Sequence, residues 1–405
     1  MYTIKVSVLL SILALLITFT SVNTWSSIPI GNLWTTTALQ LYTIYIIYKV
    51  RKSLISQENI QYKYINWYLI WTFFCIVRGS IIAENSIEYK QLVIGSIALL
   101  TPVFSWIAYK PFYIEKILHF WYHYAMLAFI FFFYWVVGYT QFYLSPLLLL
   151  FCFFPLFPQK KKYLIIILGI LYCILAGDGR SQYLKGIPAL LIGVIILIKG
   201  SKISYKIIKL GHIAAYLSTF IIFIFILKGL TSIYTGKNNA EDIKNEYIEN
   251  SSDTRSLLYI DVIESSINNN YVLIGRTPAR GNDITFSGIL FKWAYTDDYV
   301  FNKDERHYNE VMHLNTYTWC GVIGFILSSL IFFNASYLAV YKSRNIYISL
   351  LGCYVAFQWS YGWIENLQQL DILNITLWIM VGMCYSTDFR QMDNYEFKNW
   401  IRKLI

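Results

Sequence analysis

The sequence predicts an all-α polytopic membrane protein with about twelve transmembrane helices and one large extracytoplasmic loop between helices 9 and 10. Three observations lead there. Of 405 residues, 57% are hydrophobic and only 14% are charged, whereas an average soluble domain carries about 25% charged residues. The apolar residues gather in runs able to cross a hydrocarbon core of roughly 30 Å. Lysine and arginine favour alternate connections, the bias that orients membrane helices. This composition has too little polar surface for a soluble enzyme and too much apolar content for a disordered chain.

Helices are the expected spanning element, because backbone groups in a bilayer must be satisfied within the segment. The apolar runs lie at 4–22, 30–48, 64–83, 91–109, 117–137, 141–157, 163–177, 182–198, 207–229, 316–341, 346–364 and 370–386. The first follows Lys5 and is not succeeded by a small-residue cleavage site, so it reads as an uncleaved span. The seventh and eighth are short or broken by Gly and Pro188, and a helical hairpin that does not fully cross is the alternative there.

With the N-terminus inside, the even-numbered connections should be basic. They hold Lys49, Arg51, Lys52 and Lys63, then Lys110 and Lys116, then Lys160, Lys161 and Lys162. Lys199, Lys202, Lys206 and Lys209 follow, then Lys342 and Arg344. The opposite connections, 23–29 and 138–140, carry no charge, and 84–90 holds Glu84, Glu88 and Lys90. Both termini are therefore expected in the cytoplasm. The chain divides into helices 1–9 (1–229), the outer loop (230–315), helices 10–12 (316–386) and a cytoplasmic tail (387–405). The net charge of +10 reads as this sidedness, and no nucleic acid partner is expected. The six cysteines fall in or beside apolar runs with no CxxC pair, and read as core residues.

Loops as long as 230–315 are uncommon without a function. Asp253 is a plausible N-cap for an amphipathic helix through Leu257, Leu258, Val262 and Ile267, ended by Asn268, Asn269 and Asn270. Gly275-Arg276-Thr277-Pro278-Ala279-Arg280-Gly281 is a turn cluster whose amides are candidates for an anion-binding nest. A polar helix is expected at about 303–315. On it, His307, Glu310 and His313 would follow one side at three-residue steps, in a spacing that suits acid–base work better than metal binding.

In the spans, His119 with His123, and His212, read as hydrogen-bonded structure. Arg78, near an outer helix end, is either a snorkelling or a functional arginine. Arg180 lies in Asp178-Gly179-Arg180-Ser181 between the seventh and eighth runs, and Arg255 opens the loop helix. Together Arg180, Arg255, Arg276 and Arg280 describe a site for a lipid diphosphate, since the planar guanidinium matches phosphate oxygens. His313 or Glu310 would take a proton from an attacking sugar hydroxyl.

The sequence resembles the O-antigen polymerase and O-antigen ligase superfamily of bacterial envelopes. The stretches that carry the resemblance are Ala176 to Ser181, Asp253-Thr254-Arg255, and Asn270 to Gly281. They are followed by His313-Leu314-Asn315-Thr316-Tyr317 and Gly321-Val322-Ile323-Gly324. The resemblance implies a multi-pass protein of the bacterial inner membrane performing metal-independent, cofactor-free, inverting glycosyl transfer on the outer face. The donor would be a glycan on undecaprenyl diphosphate, held by Arg180 and Arg255, with His313 activating or orienting the acceptor hydroxyl. A polymerase would extend O-antigen, capsular or exopolysaccharide, with a chain-length regulator and a flippase as partners. A ligase would transfer polymer to lipid A-core. A lipid-linked oligosaccharide transporter is the alternative of a different class, although the chain shows no repeated half.

Overall fold

The computed structural model describes residues 2–24, 26, 28–52, 62–128, 141–174, 180–236, 255–284 and 305–405. Among the described residues the regular elements are helices and one short two-stranded ladder. The helices are α1 (Tyr2–Thr24), α2 (Leu33–Lys52), α3 (Lys63–Ile82), α4 (Ser86–Leu99) and α5 (Pro111–Phe120). They continue with α6 (Gln141–Leu144), α7 (Leu147–Phe153), α8 (Gln159–Ile174), α9 (Arg180–Lys199), α10 (Tyr205–Gly236) and α11 (Arg255–Asn268). After β1 (Asn282–Asp283) and β2 (Glu305–Arg306) come α12 (Met312–Lys342), α13 (Ile346–Tyr361), α14 (Ile372–Tyr385), α15 (Thr387–Gln391) and α16 (Asn394–Arg402). Among the described residues, five helical segments are long and apolar enough to cross a membrane: Lys63–Ile82, Ser86–Tyr109, Tyr183–Lys202, Tyr205–Lys228 and Met312–Lys342. The chain is thus compatible with an all-α polytopic membrane protein.

Local sequence explains the helix ends. Asn85 caps α4 by accepting from the amides of Ile87 and Glu88, both at 3.0 Å. Pro102 cannot donate to the carbonyl of Ala98, and the Thr101 hydroxyl donates to it instead at 2.8 Å. The chain then tightens into a 3₁₀ stretch over Thr101–Tyr109. Asn345 and Asp371 cap α13 and α14, and Asp393 with Glu396 forms a capping box on α16. The segment after 386, expected only as a tail, folds into α15 and α16 and buries Phe389, Phe397, Trp400, Ile401 and Leu404.

The core runs through α12, α13, α14 and the 3₁₀ stretch, with α3 against α12 and α10 against α13. Lipid-sized apolar side chains cover the outside, among them Ile70, Phe73, Ile81, Leu210, Phe220 and Phe225. That is the inverse of a soluble surface, where large exposed apolar patches are rare.

Helix α12 is broken. Gly321 takes φ 68°, ψ −170° inside it, a left-handed value that favours glycine. A break frees donors and acceptors that the bilayer cannot satisfy. The loop segment after α11 satisfies them. Val322 and Ile323 donate to the carbonyls of Val272 (2.9 Å) and Leu273 (3.3 Å), while Arg276 and Thr277 donate to those of Thr318 (2.7 Å) and Trp319 (3.2 Å). Trp71 of α3 donates to the Cys320 carbonyl at 2.9 Å. Arg78 donates to the carbonyls of Ile274 at 3.0 Å and Gly275 at 3.1 Å. Residues 271–279 are thereby woven into the bundle between α3, α4 and α12, with Pro278 against Gly95 and Thr277 against Gly79.

The polar helix expected at about 303–315 is not formed. Glu305–Arg306 pairs as a strand with Asn282–Asp283, residues 307–311 are irregular, and the helix begins at Met312. Strand pairing and the contact of Glu305 with the Gly281 amide (3.2 Å) commit this backbone to an extended form. His307, Glu310 and His313 therefore share no helix face.

Candidate functional site

Arg276 and Arg280 converge on one carboxylate. Glu305, 2% exposed, accepts from Arg280 Nε at 3.0 and 2.9 Å, and also from Arg280 Nη2. Arg276 Nη2 lies 3.1 Å from Glu305 Oε1, and its Nη1 reaches Asp283 at 2.6 Å and the Gly281 carbonyl at 3.0 Å. Fully buried Glu88 stands 3.9 Å from Arg280 Nε. The hydrogen bonds that it donates to Glu305 hold the Arg280 guanidinium above the ordinary arginine range. Burial alone would raise Asp283, but Arg276 and Asn269 outweigh it and hold this carboxyl below the usual range.

Two guanidiniums thus face three carboxylates. A diphosphate placed here would have to displace a buried anion and meet the others, so the geometry assigns Arg276 and Arg280 to holding the turn. The amides of the turn are used as well. Those of Gly275, Arg276, Thr277 and Arg280 donate to backbone carbonyls, and that of Gly281 to Glu305. The anion nest anticipated from the Gly/Pro spacing is closed by the protein's own groups. His307 is half-buried beside this cluster; desolvation pushes its imidazole below the ordinary value, with Glu305 and Glu88 opposing.

His313 lies within the first turn of α12 and is 1% exposed, whereas an interfacial position was expected. Trp363, Trp359 and Phe325 surround the ring at 4.5, 5.3 and 5.4 Å between centroids. Nε2 lies 2.8 Å from the Trp359 carbonyl. A carbonyl only accepts, so Nε2 carries the proton and Nδ1 presents a lone pair, which has no hydrogen-bond partner among the described residues. Glu310 is 3.5 Å from Arg306, with its side chain 56% exposed. Arg180 and Arg255 are the first described residues of α9 and α11, and their side chains lie outside the described residues. His119 and His123 stack at 4.0 Å, with His123 Nδ1 2.9 Å from the His119 carbonyl, and His212 meets Ser336 at 3.0 Å.

Two groups of residues were not singled out by sequence. Lys185 of α9 is 2% exposed and lies 3.8 Å from Glu365, in the turn joining α13 to α14. A lysine within an apolar run was the available signal. Glu305 and Glu88 gave none, because each was an ordinary acidic residue until the fold brought the arginines to it. No family model, curated protein or solved structure matches the chain.

Proposed function

We propose that the chain polymerises undecaprenyl-diphosphate-linked oligosaccharide repeat units into O-antigen, capsular or exopolysaccharide. The reaction takes place on the outer face of the bacterial inner membrane, in a protein of about twelve spans with both termini cytoplasmic. The acceptor hydroxyl attacks the anomeric carbon of the donor sugar. The bond from that carbon to the diphosphate breaks with inversion, and undecaprenyl diphosphate leaves with the bonding electrons. Arg180 and Arg255 hold the diphosphate and stabilise its departure. The hydroxyl proton passes to His313 Nδ1, or is oriented by it; Glu310, neutralised by Arg306, is the next candidate base. Arg276 and Arg280 act through Glu305 as positioning residues. No metal or cofactor takes part.

One observation carries this reading: two of the stretches that resemble the superfamily, Asn270 to Gly281 and Gly321 to Gly324, pack on one another although some forty residues separate them in sequence. The 270–281 turn fills the break at Gly321, and Tyr317, four residues after His313, bonds Ser266 of α11 at 2.8 Å. The lone pair of His313 supplies the basic atom the step requires.

Glycan analysis tests it. Arg180→Ala and Arg255→Ala should leave single repeat units on the acceptor while the protein stays in the membrane, and lysine should rescue only in part. His313→Ala should lose about 10²–10⁴-fold in rate, the worth of general-base help. His313→Gln keeps a donor for the Trp359 carbonyl but has no basic nitrogen, so recovery in this variant would make the histidine structural. Long polymer stranded on undecaprenyl diphosphate after deletion would identify a ligase instead.

A further inference from the structure

A cavity of about 430 Å³ opens between the C-terminal end of α1, the N-terminal half of α2, α4 and the turn before α14. Its size falls in the range of small-molecule sites, roughly 300–1,000 Å³. It is distinct from both clusters above: neither His313 nor any arginine lines it.

The chemistry of the wall is specific. Gln40 of α2, Gln91 of α4 and Gln369 of the turn each bring a primary amide, and Thr37, 6% exposed, brings a hydroxyl. Tyr308 and Asp371 complete the polar lining. Asp371 is 2% exposed. It accepts from the Asn374 amide nitrogen at 2.8 Å and from its side-chain nitrogen at 3.1 Å, as well as from the Leu373 amide, and the four acceptor sites of a carboxylate leave room for a further donor. Leu33, Ile94 and Leu370 make the apolar part of the wall.

This lining selects among ligands. No lysine or arginine lines the cavity to bind a diphosphate, and Lys185, whose charge reaches Asp371, lies outside the lining. The Gln369 side chain already hydrogen-bonds Tyr308, but a polyprenyl chain would bury the amides of Gln40 and Gln91 against hydrocarbon, at about 1–3 kcal/mol for each group left unpaired. A sugar meets both requirements: its hydroxyls donate and accept as primary amides and carboxylates do, and its C–H faces cover the aliphatic wall. The site is also preformed on one side. Asn23 ties the end of α1 to the α1–α2 connection and to α2, donating to the Ile30 carbonyl (3.1 Å) and Thr36 Oγ1 (3.0 Å) and accepting from the Ile30 amide (2.7 Å).

We propose that this cavity binds an uncharged sugar unit, held by the amides of Gln40, Gln91 and Gln369 with Thr37 and Asp371. The inference rests on the glycosyl-transfer reading for the origin of that sugar, a residue of the lipid-linked glycan. Tyr308 links the cavity to the segment bearing the candidate bases: its hydroxyl accepts from Asn366, its ring lies 5.6 Å from Trp319, and it stands two residues before Glu310.

Protection from labelling tests the site without requiring activity. Leu33→Cys places a reporter thiol in the wall at a residue that makes no polar contact and is 41% exposed. The protein, in lipid nanodiscs, is labelled with maleimide in the presence of glucose, galactose, N-acetylglucosamine or rhamnose, and separately of farnesol or farnesyl diphosphate. At about ten times its Kd, one of the sugars should slow labelling roughly tenfold by mass action. That protection should vanish when Gln91→Leu or Gln369→Leu is added. Protection by farnesol or farnesyl diphosphate alone, or by none of the probes, overturns the proposal. Should the cysteine variant fail to fold, saturation-transfer NMR of the wild-type protein with the same sugars detects the same binding, and no transfer to any of them overturns the proposal equally. Sugar protection combined with unchanged glycan after gene deletion keeps the site and removes the polymerase reading. Loss of polymer in His313→Ala with no sugar protection does the reverse.

Discussion

Glu305 is the residue on which the outer segment is assembled. It takes both arginines of the 275–281 turn and the Gly281 amide, and it sits in β2 opposite Asp283. Bidentate arginine–carboxylate pairs are among the stronger hydrogen bonds, but their value lies mainly in what their removal leaves behind. Breaking a buried pair typically costs about 3–5 kcal/mol, because the partner charge remains uncompensated. Glu305→Gln should therefore lower the stability of the detergent-purified protein by about 3 kcal/mol, toward the lower part of that range, since both guanidiniums retain some solvent contact. Thermal unfolding reads this directly, with proteolysis of the outer segment as a second measure. An unchanged melting temperature would remove the cluster from the supports of the fold.

At the scale of elements, the broken helix α12 and the segment that fills it form one unit. Gly275 and Gly321 meet across the break: a Cβ on Gly321 would fall 2.2 Å from the Leu273 carbonyl oxygen, and one on Gly275 would fall 2.5 Å from the Cys320 nitrogen. Both have positive φ. Gly321→Ala should combine a backbone penalty of about 1–3 kcal/mol with loss of the backbone hydrogen bonds that dock the segment. Little folded protein is expected in a thermal-stability assay. Gly200 supplies the comparison, because it also has positive φ (57°) but nothing within 4 Å of its added Cβ. Gly200→Ala should cost only the left-handed backbone penalty of roughly 1–2 kcal/mol. Equal effects at the two sites would mean that backbone strain alone matters and that the docking of the segment contributes nothing.

At the scale of the whole molecule, the two ends of the bundle differ in chemistry. One end gathers basic connections and the C-terminal helices: Lys110 pairs with Asp388 at 2.9 Å, Lys161 reaches the Ile405 carbonyl, and the Arg344 amide donates to the Arg390 carbonyl. The other gathers the arginine–carboxylate cluster, the turn before α14 and the amide-lined cavity. In a bilayer the first end should face the cytoplasm. Thiol labelling of intact cells should modify Asn268→Cys, which is exposed at the end of α11, and miss Lys161→Cys. The opposite pattern would invert the topology and with it the proposed outer-face chemistry.

The sequence by itself determined the helical character and the apolar runs long enough to cross a membrane, because hydrophobicity and charge alternation are properties of composition along the chain. It also located the loop helix and placed Gly321 in one of the stretches that carry the resemblance. It did not determine the conformation of 305–311, where local polarity suggested a helix and pairing with Asn282–Asp283 imposed a strand. Nor could it show that Arg276 and Arg280 are neutralised within the protein, since Glu88 and Glu305 approach them only through long-range packing. The burial of His313 among Trp359, Trp363 and Phe325 has the same origin. So does the cavity, whose three glutamines come from separate elements. Hydrophobicity acts on each segment against the bilayer, and so is legible locally; hydrogen-bond partners are chosen between segments, and only the tertiary structure decides them.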